Sequence, residues 1–138
     1  MGYTHYWETT EQLVTIPFAA FVDDVVKLAD LSVVKLAGWN GERGTQPEFA
    51  SDEFTLNGCG DLSHETFGIA AHNTGFQFCK TARKPYDEIV TAALILFAAR
   101  FGDQVTVSSD GTAEDWQAGL SLACKLYPAA TIPAGVTS

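Results

Sequence analysis

The stretch from Pro85 to Gly102 constrains the fold more than any other. It carries the longest apolar run of the chain, Ile89 to Ala99, interrupted only by Thr91. Tyr86, Ile89, Val90, Ala93, Leu94 and Phe97 recur at helical spacing, so the pattern predicts a helix opened by Pro85 and stopped by Gly102 after Phe101. The run falls far short of the ~20 apolar residues that a membrane span requires. It therefore reads as the helix around which a core is built. The chain has 138 residues, 46% of them hydrophobic and 18% charged, which is enough to surround such a helix in one domain, 1–138.

The partners of that helix follow from shorter patterns. Residues 2–8, Gly-Tyr-Thr-His-Tyr-Trp-Glu, are aromatic and partly alternating, which predicts a first strand. Thr15 is placed to cap a helix with Pro17 in its first turn. Phe18, Phe21, Val22, Val25, Val26 and Ala29 then line one face to about Asp30 or Leu31. Val33 to Leu36 is too short to classify, and Gly38 to Pro47, with three glycines and a proline, reads as a long exposed loop. Glu53 to Leu56 and Glu65 to Ala71 read as strands of a hairpin joined through Asn57-Gly58-Cys59-Gly60-Asp61. Gln104 to Ser108 alternates as a strand. Thr112 and Asp115 form a reciprocal cap for a last helix to about Tyr127, and the tail 128–138 is expected to be loose.

The order strand, helix, two strands, helix, strand, helix predicts an α+β fold, a ferredoxin-like split βαβ sandwich with an added C-terminal helix.

Eight Lys and Arg stand against seventeen Asp and Glu, giving a net charge of −9. Such a surface repels nucleic acid in bulk and anionic lipid. The opening Tyr3, His5, Tyr6, Trp7 and Glu8 lacks the basic start and apolar stretch of a secretory leader, so a cytoplasmic location is expected, in the host cell if the chain is phage-encoded. Cys59, Cys79 and Cys124 are odd in number and lack metal-ligand spacing, which points to reduced thiols. No cofactor or metal is expected.

Against this acidic background, three of the eight basic side chains, Lys80, Arg83 and Lys84, fall within five residues directly before Pro85. The free N–H groups and positive dipole end of the following helix face the same neighbourhood, so an anion is the natural occupant. Thr81 adds a hydroxyl donor, and Arg83 has the two-pronged geometry that suits phosphate or carboxylate. The competing reading pairs these cations with Asp87, Glu88 or other acidic neighbours. Tyr3, Tyr6 and Trp7 on the first strand and Trp39 in the glycine-rich loop are candidate surfaces for a planar ring, although strands favour aromatic residues for packing alone. Neither the ATP-type nor the dinucleotide-type glycine motif occurs.

Chemistry beyond binding rests on His5, His64 with Glu65, and His72, since imidazole and carboxylate together move protons or hold metal. Adjacent strand residues face opposite ways, so His64 and Glu65 are not expected to share a site. The turn Ser108-Ser109-Asp110-Gly111 offers hydroxyl and N–H groups, and the sequence gives no reason to join it to the cations.

The opening Gly-Tyr-Thr-His-Tyr-Trp, the segments Leu56–Asp61 and His64–Phe67, the run Phe78-Cys79-Lys80-Thr81-Ala82-Arg83-Lys84-Pro85-Tyr86-Asp87, and Val107-Ser108-Ser109-Asp110-Gly111 together resemble a family of small uncharacterised proteins of tailed phages and bacteria. The resemblance spans most of the chain and is most specific at 78–87. That family has no established reaction, so the resemblance implies a phage or prophage setting and transfers no catalytic residue.

The leading expectation is a non-catalytic binder of a small phosphate-bearing ligand, a nucleotide-type signal sequestered as a phage counter-defence. Lys80, Arg83 and Lys84 would hold the anion, Thr81 would donate to it, and Tyr6, Trp7 or Trp39 would stack on its ring. The alternatives are a nucleotide phosphodiesterase or hydrolase using His5 or His64 with Glu65, and an acidic inhibitor that binds a protein. An aromatic-rich edge strand also offers a pairing surface for a second copy, which makes a homodimer an expectation.

Overall fold

The computed structural model of the chain describes residues 3–138. Seven strands and three helices longer than one turn follow one another as β1 (Thr4–Thr9), α1 (Thr15–Leu31), β2 (Leu36–Ala37), β3 (Glu48–Phe49), β4 (Glu53–Gly58), β5 (Phe67–Ala70), β6 (Gly75–Lys80), α2 (Asp87–Phe101), β7 (Val105–Ser109) and α3 (Gln117–Leu126). Gly2, where the first strand was expected to open, lies outside the described residues.

The expected central helix is α2. Every residue from Ile89 to Phe97 is buried, Thr91 included, as befits a helix that is apolar all round and covered on every side. Gly102 ends it with φ +54°, a conformation that glycine adopts without a Cβ clash. Aromatic side chains tie the layers into one core. Trp7 on β1 meets Phe67 on β5 edge-on at 5.5 Å, Phe67 meets Phe54 on β4 at 5.5 Å, Phe54 meets Phe21 on α1 at 6.0 Å, and Phe21 meets Phe97 on α2 at 5.1 Å. Such offset and edge-on pairs add ~0.5–1.5 kcal/mol each beyond area burial. Helix α3 lies against α2 with no space between them at one point: a Cβ on Gly119 would stand 1.9 Å from the Thr91 hydroxyl oxygen.

The α+β class with a C-terminal helix is what forms, but the strand pairing departs from a split βαβ sheet. β1 lies between β6 and β7 and runs antiparallel to both, whereas a split βαβ unit gives its first strand a parallel neighbour. The reversal comes from the chain between α1 and β6, which builds a second antiparallel sheet in which β4 is paired by β2, β3 and β5. The expected hairpin of 53–56 and 65–71 is the β4–β5 pair. Strand β6, by contrast, is not among the expected strands.

Two caps and the tail also differ from expectation. Val14, not Thr15, precedes α1, and no side chain caps it. The Asp115 carboxylate accepts the Thr112 N–H at 2.9 Å, yet α3 begins only at Gln117. The tail 128–138 is held rather than loose. Val136 is buried, Ile132 packs against the core, and the Ala113 N–H donates to the Thr137 carbonyl at 2.7 Å. Apolar anchors at 132 and 136 supply what a solvated tail would lack. Among the described residues no helix is long and apolar enough to cross a membrane.

Candidate functional site

Because β6 and β7 both flank β1, the end of β6 and the end of β7 meet at the start of β1. Register pairs Thr4 with Lys80 and His5 with both Cys79 and Ser109. The cation-bearing segment and the Ser108–Gly111 turn, which no sequence pattern joins, are therefore neighbours.

His5 is the centre of this end and has no exposed surface. Its Nε2 lies 2.6 Å from Asp87 Oδ1 and its Nδ1 lies 2.8 Å from Ser109 Oγ. A carboxylate oxygen only accepts, so in the neutral ring the proton sits on Nε2, and Nδ1 accepts from the Ser109 hydroxyl. Thr81 donates its hydroxyl to the same Asp87 oxygen at 2.6 Å, and the Gly111 N–H donates to Ser109 Oγ at 2.9 Å. The buried imidazole is thereby satisfied on both nitrogens. Asp87 reaches it because it opens α2, where a carboxylate also suits the helix dipole.

Two aromatic residues close on the imidazole edge-on, Tyr3 at 5.0 Å and Trp116 at 5.1 Å between ring centroids. Among the described residues the Tyr3 hydroxyl and the Trp116 indole N–H are buried without hydrogen-bond partners. Burial, with the Asp87 charge nearby, raises the Tyr3 hydroxyl well above the ordinary tyrosine range.

The cations stand just outside. After β6 the chain makes a tight turn in which the Lys84 N–H donates to the Thr81 carbonyl at 3.0 Å. Ala82 and Arg83 at its centre take φ +52° and +58°. Left-handed backbone costs a non-glycine residue ~1–2 kcal/mol, so this turn is strained twice over. Its geometry sets the Arg83 guanidinium 4.0 Å from the centre of the Tyr3 ring and 2.7 Å from Asp115. That hydrogen bond raises Arg83, and Asp115 is held below the usual carboxylate range by the Thr112 N–H first and by Arg83 second. Among the described residues neither Lys80 nor Lys84 forms an ion pair.

The expected site residues are thus only partly brought together. Lys80, Arg83 and Lys84 share the sheet end. Thr81 is buried and its hydroxyl is committed to Asp87, so it offers no donor to a ligand. Trp7 is only 2% exposed and packs within the core, which removes it as a free stacking surface. Trp39 is 60% exposed and lines a cleft of about 300 Å³ with Glu48, Phe49 and Thr55 of the other sheet. Tyr6 remains on the open face of β1, where its hydroxyl donates to Asp110 at 3.0 Å and its ring stacks on Phe76 at 5.6 Å.

The histidines separate in the same way. His64 is exposed, and its backbone N–H and carbonyl are clamped by the buried Asn57 side chain. Glu65 turns elsewhere and accepts the Lys80 backbone N–H at 2.8 Å, so the two form no acid–base pair. Asp87 and Ser109, the partners of His5, escape sequence reasoning because they are separated from it by 82 and 104 residues. Phe76 and Phe78 are missed for a different reason. The β6 pattern is inverted, with phenylalanines outward and Gln77 and Cys79 inward, so the alternation of Phe76, Gln77 and Phe78 suits a strand but points its apolar residues to the wrong face.

Among the described residues no group of three His, Cys, Asp or Glu side chains is arranged to hold a metal ion. Comparison with family models, with curated proteins and with solved structures found nothing that matches this chain.

Proposed function

We propose that this protein binds a small phosphate-bearing ligand at the end of the β6–β1–β7 sheet, holding it without turnover. The observation that carries this reading is the strained turn of Ala82 and Arg83, flanked by Lys80 and Lys84, two lysines that form no ion pair among the described residues of a strongly acidic chain. Exposed ion pairs contribute little, ~0–1 kcal/mol, so the Arg83–Asp115 contact alone is a weak return for two left-handed residues. A guanidinium held over the Tyr3 ring with two lysines beside it suits an anion with several oxygens, although the first N–H groups of α2 add no donors, because Asp87, Glu88 and Ile89 already donate to the Lys84, Pro85 and Tyr86 carbonyls. In the phage or prophage setting that the sequence resemblance implies, such binding takes a nucleotide-type signal out of circulation.

Calorimetry with pyrophosphate tests this reading. Arg83→Ala with Lys84→Ala is expected to weaken binding roughly tenfold or more, since hydrogen bonds to charged groups are the strong ones. Unchanged affinity in that folded double variant removes the proposal. Native mass spectrometry of freshly purified protein adds a direct readout, a co-purified phosphate compound lost in the same variant.

A second reading is favoured by the hydrogen-bonded chain of Ser109, His5 and Asp87. In it, His5 serves as a general base in phosphoester hydrolysis. Nucleotides incubated with the protein, with and without divalent metal, yield new products under this reading and are recovered intact under the first.

A further inference from the structure

The outer face of the β6–β1–β7 sheet carries three aromatic rings, Tyr6, Phe76 and Phe78, with no layer over them among the described residues. Phe76 is 62% exposed and Phe78 is 50% exposed, an unusual placement for two neighbouring phenylalanines. Pairing of the strands sets Tyr6 opposite Phe78 and Glu8 opposite Phe76. Tyr6 and Phe76 are stacked at 5.6 Å with planes 26° apart, and Phe76 and Phe78 lie 6.3 Å apart with planes inclined by 37°. The three rings therefore form one patch of similar orientation, to which a further flat ring can add.

The same face is electrically graded along β6. Residues 76, 78 and 80 all point outward, so Lys80 continues the row of phenylalanines one alternation beyond Phe78, ~7 Å along the strand. Glu8 sits beside Phe76 at the opposite end. Asp110, on the β7 side of the Lys80 end, has its carboxylate taken by the Thr4 N–H at 3.2 Å and the Tyr6 hydroxyl at 3.0 Å. An anion is thus directed to the β6 side, and an attached ring is directed down the face toward Phe78 and Phe76.

Resting on the anion site proposed above, we infer that the occupant is a nucleotide whose phosphate lies at Lys80 and the 82–84 turn and whose base lies on Phe78, Phe76 and Tyr6. This assigns the ring-binding role to Phe76 and Phe78 in place of the buried Trp7 and of Trp39. The net charge of −9 favours a single small nucleotide over a nucleic-acid strand, whose phosphates would extend past the cations onto an acidic surface.

The experiment compares a panel of purine and pyrimidine mononucleotides and cyclic dinucleotides with pyrophosphate, which shares the anion and lacks the ring. Binding is measured by calorimetry on the native chain, on Phe76→Ala with Phe78→Ala, and on Lys80→Ala with Lys84→Ala. The aromatic double variant is expected to bind the preferred nucleotide about tenfold or more weakly, in keeping with base–aromatic stacking, and to bind pyrophosphate unchanged. Phe78→Trp placed beside Phe76→Ala is expected to recover nucleotide affinity relative to the double alanine variant. The lysine variant is expected to lose both ligands. Nucleotide affinity unaffected by the aromatic variant overturns the base platform and leaves the anion site standing, whereas pyrophosphate unaffected by the lysine variant removes the anion site itself. Tighter binding of a ten-residue DNA strand than of any mononucleotide overturns the single-nucleotide assignment. A dimer that dissociates on aromatic substitution with no change in nucleotide affinity assigns the face to a second copy instead.

Discussion

The two faces of the β6–β1–β7 sheet are built from the same strands and behave as opposites. The inner face presents His5, Trp7, Cys79 and Val107 to α2, α3 and the second sheet, and all four are buried. The outer face presents Tyr6, Phe76, Phe78 and Lys80 to solvent, with rings stacked on one another and, among the described residues, nothing above them. An aromatic ring on the inner face is explained by the core it fills. A ring on the outer face has no such account, and that contrast is what marks a binding surface.

The sharpest test of this contrast is stability. Trp116→Ala removes the largest fully buried side chain beside His5 and is expected to cost about 3–5 kcal/mol in urea unfolding. Phe76→Ala with Phe78→Ala is expected to cost less than about 1 kcal/mol, because only cross-strand stacking is lost. Equal costs would mean that the outer rings are core in disguise.

Next in size is the histidine comparison. His5→Ala strips Asp87 and Ser109 of a buried partner and is expected to destabilise by about 1–3 kcal/mol, while His64→Ala, on an exposed side chain, stays within about 0.5 kcal/mol. A comparable effect at His64 would break the division between the two.

Titration sharpens the inner face further. Burial, with Glu65 nearby, pushes the Cys79 thiol from 9.0 up to about 12. The folded state keeps that proton while the unfolded chain releases it from about pH 9, so stability from this group is present below pH 9 and is lost as pH rises toward 12. Tyr3 and Tyr86 shift in the same direction. Melting temperature is expected to fall steadily above pH 9, less steeply in Cys79→Ala, and iodoacetamide is expected to modify Cys59 and Cys124 long before Cys79.

The smallest effect concerns the turn beside Lys84. Ala82→Gly relieves one left-handed residue and is expected to stabilise by up to about 1 kcal/mol, read as a small rise in melting temperature. A loss of stability there would show that the turn is not strained.

The helices and the β4–β5 hairpin were legible in the sequence because their periods are local: Phe18 to Ala29 and Tyr86 to Phe97 repeat within a few residues. Lys80, Arg83 and Lys84 were legible as a charge contrast. The arrangement around His5 was not, since it depends on β1 being inserted between β6 and β7, a pairing that no local pattern encodes. Strand β6 alternates, but its apolar residues lie on the solvent side, so which face it buries was not legible. That inversion, Phe76 and Phe78 outward with Cys79 inward, is the feature that ends up carrying the proposed ring site. Thr81 illustrates the opposite error, where a hydroxyl well placed in sequence is already consumed by Asp87.

Gly119 has a mechanical consequence at a distance. There is no room for a methyl between Gly119 and the Thr91 side chain where α3 meets α2. Any side chain there would act as a wedge, and the far end of the lever is Trp116, three positions upstream, whose indole rests on His5. The alignment of the buried imidazole is therefore gauged from a helix crossing, and an Ala at 119 would be felt at the sheet end without touching it.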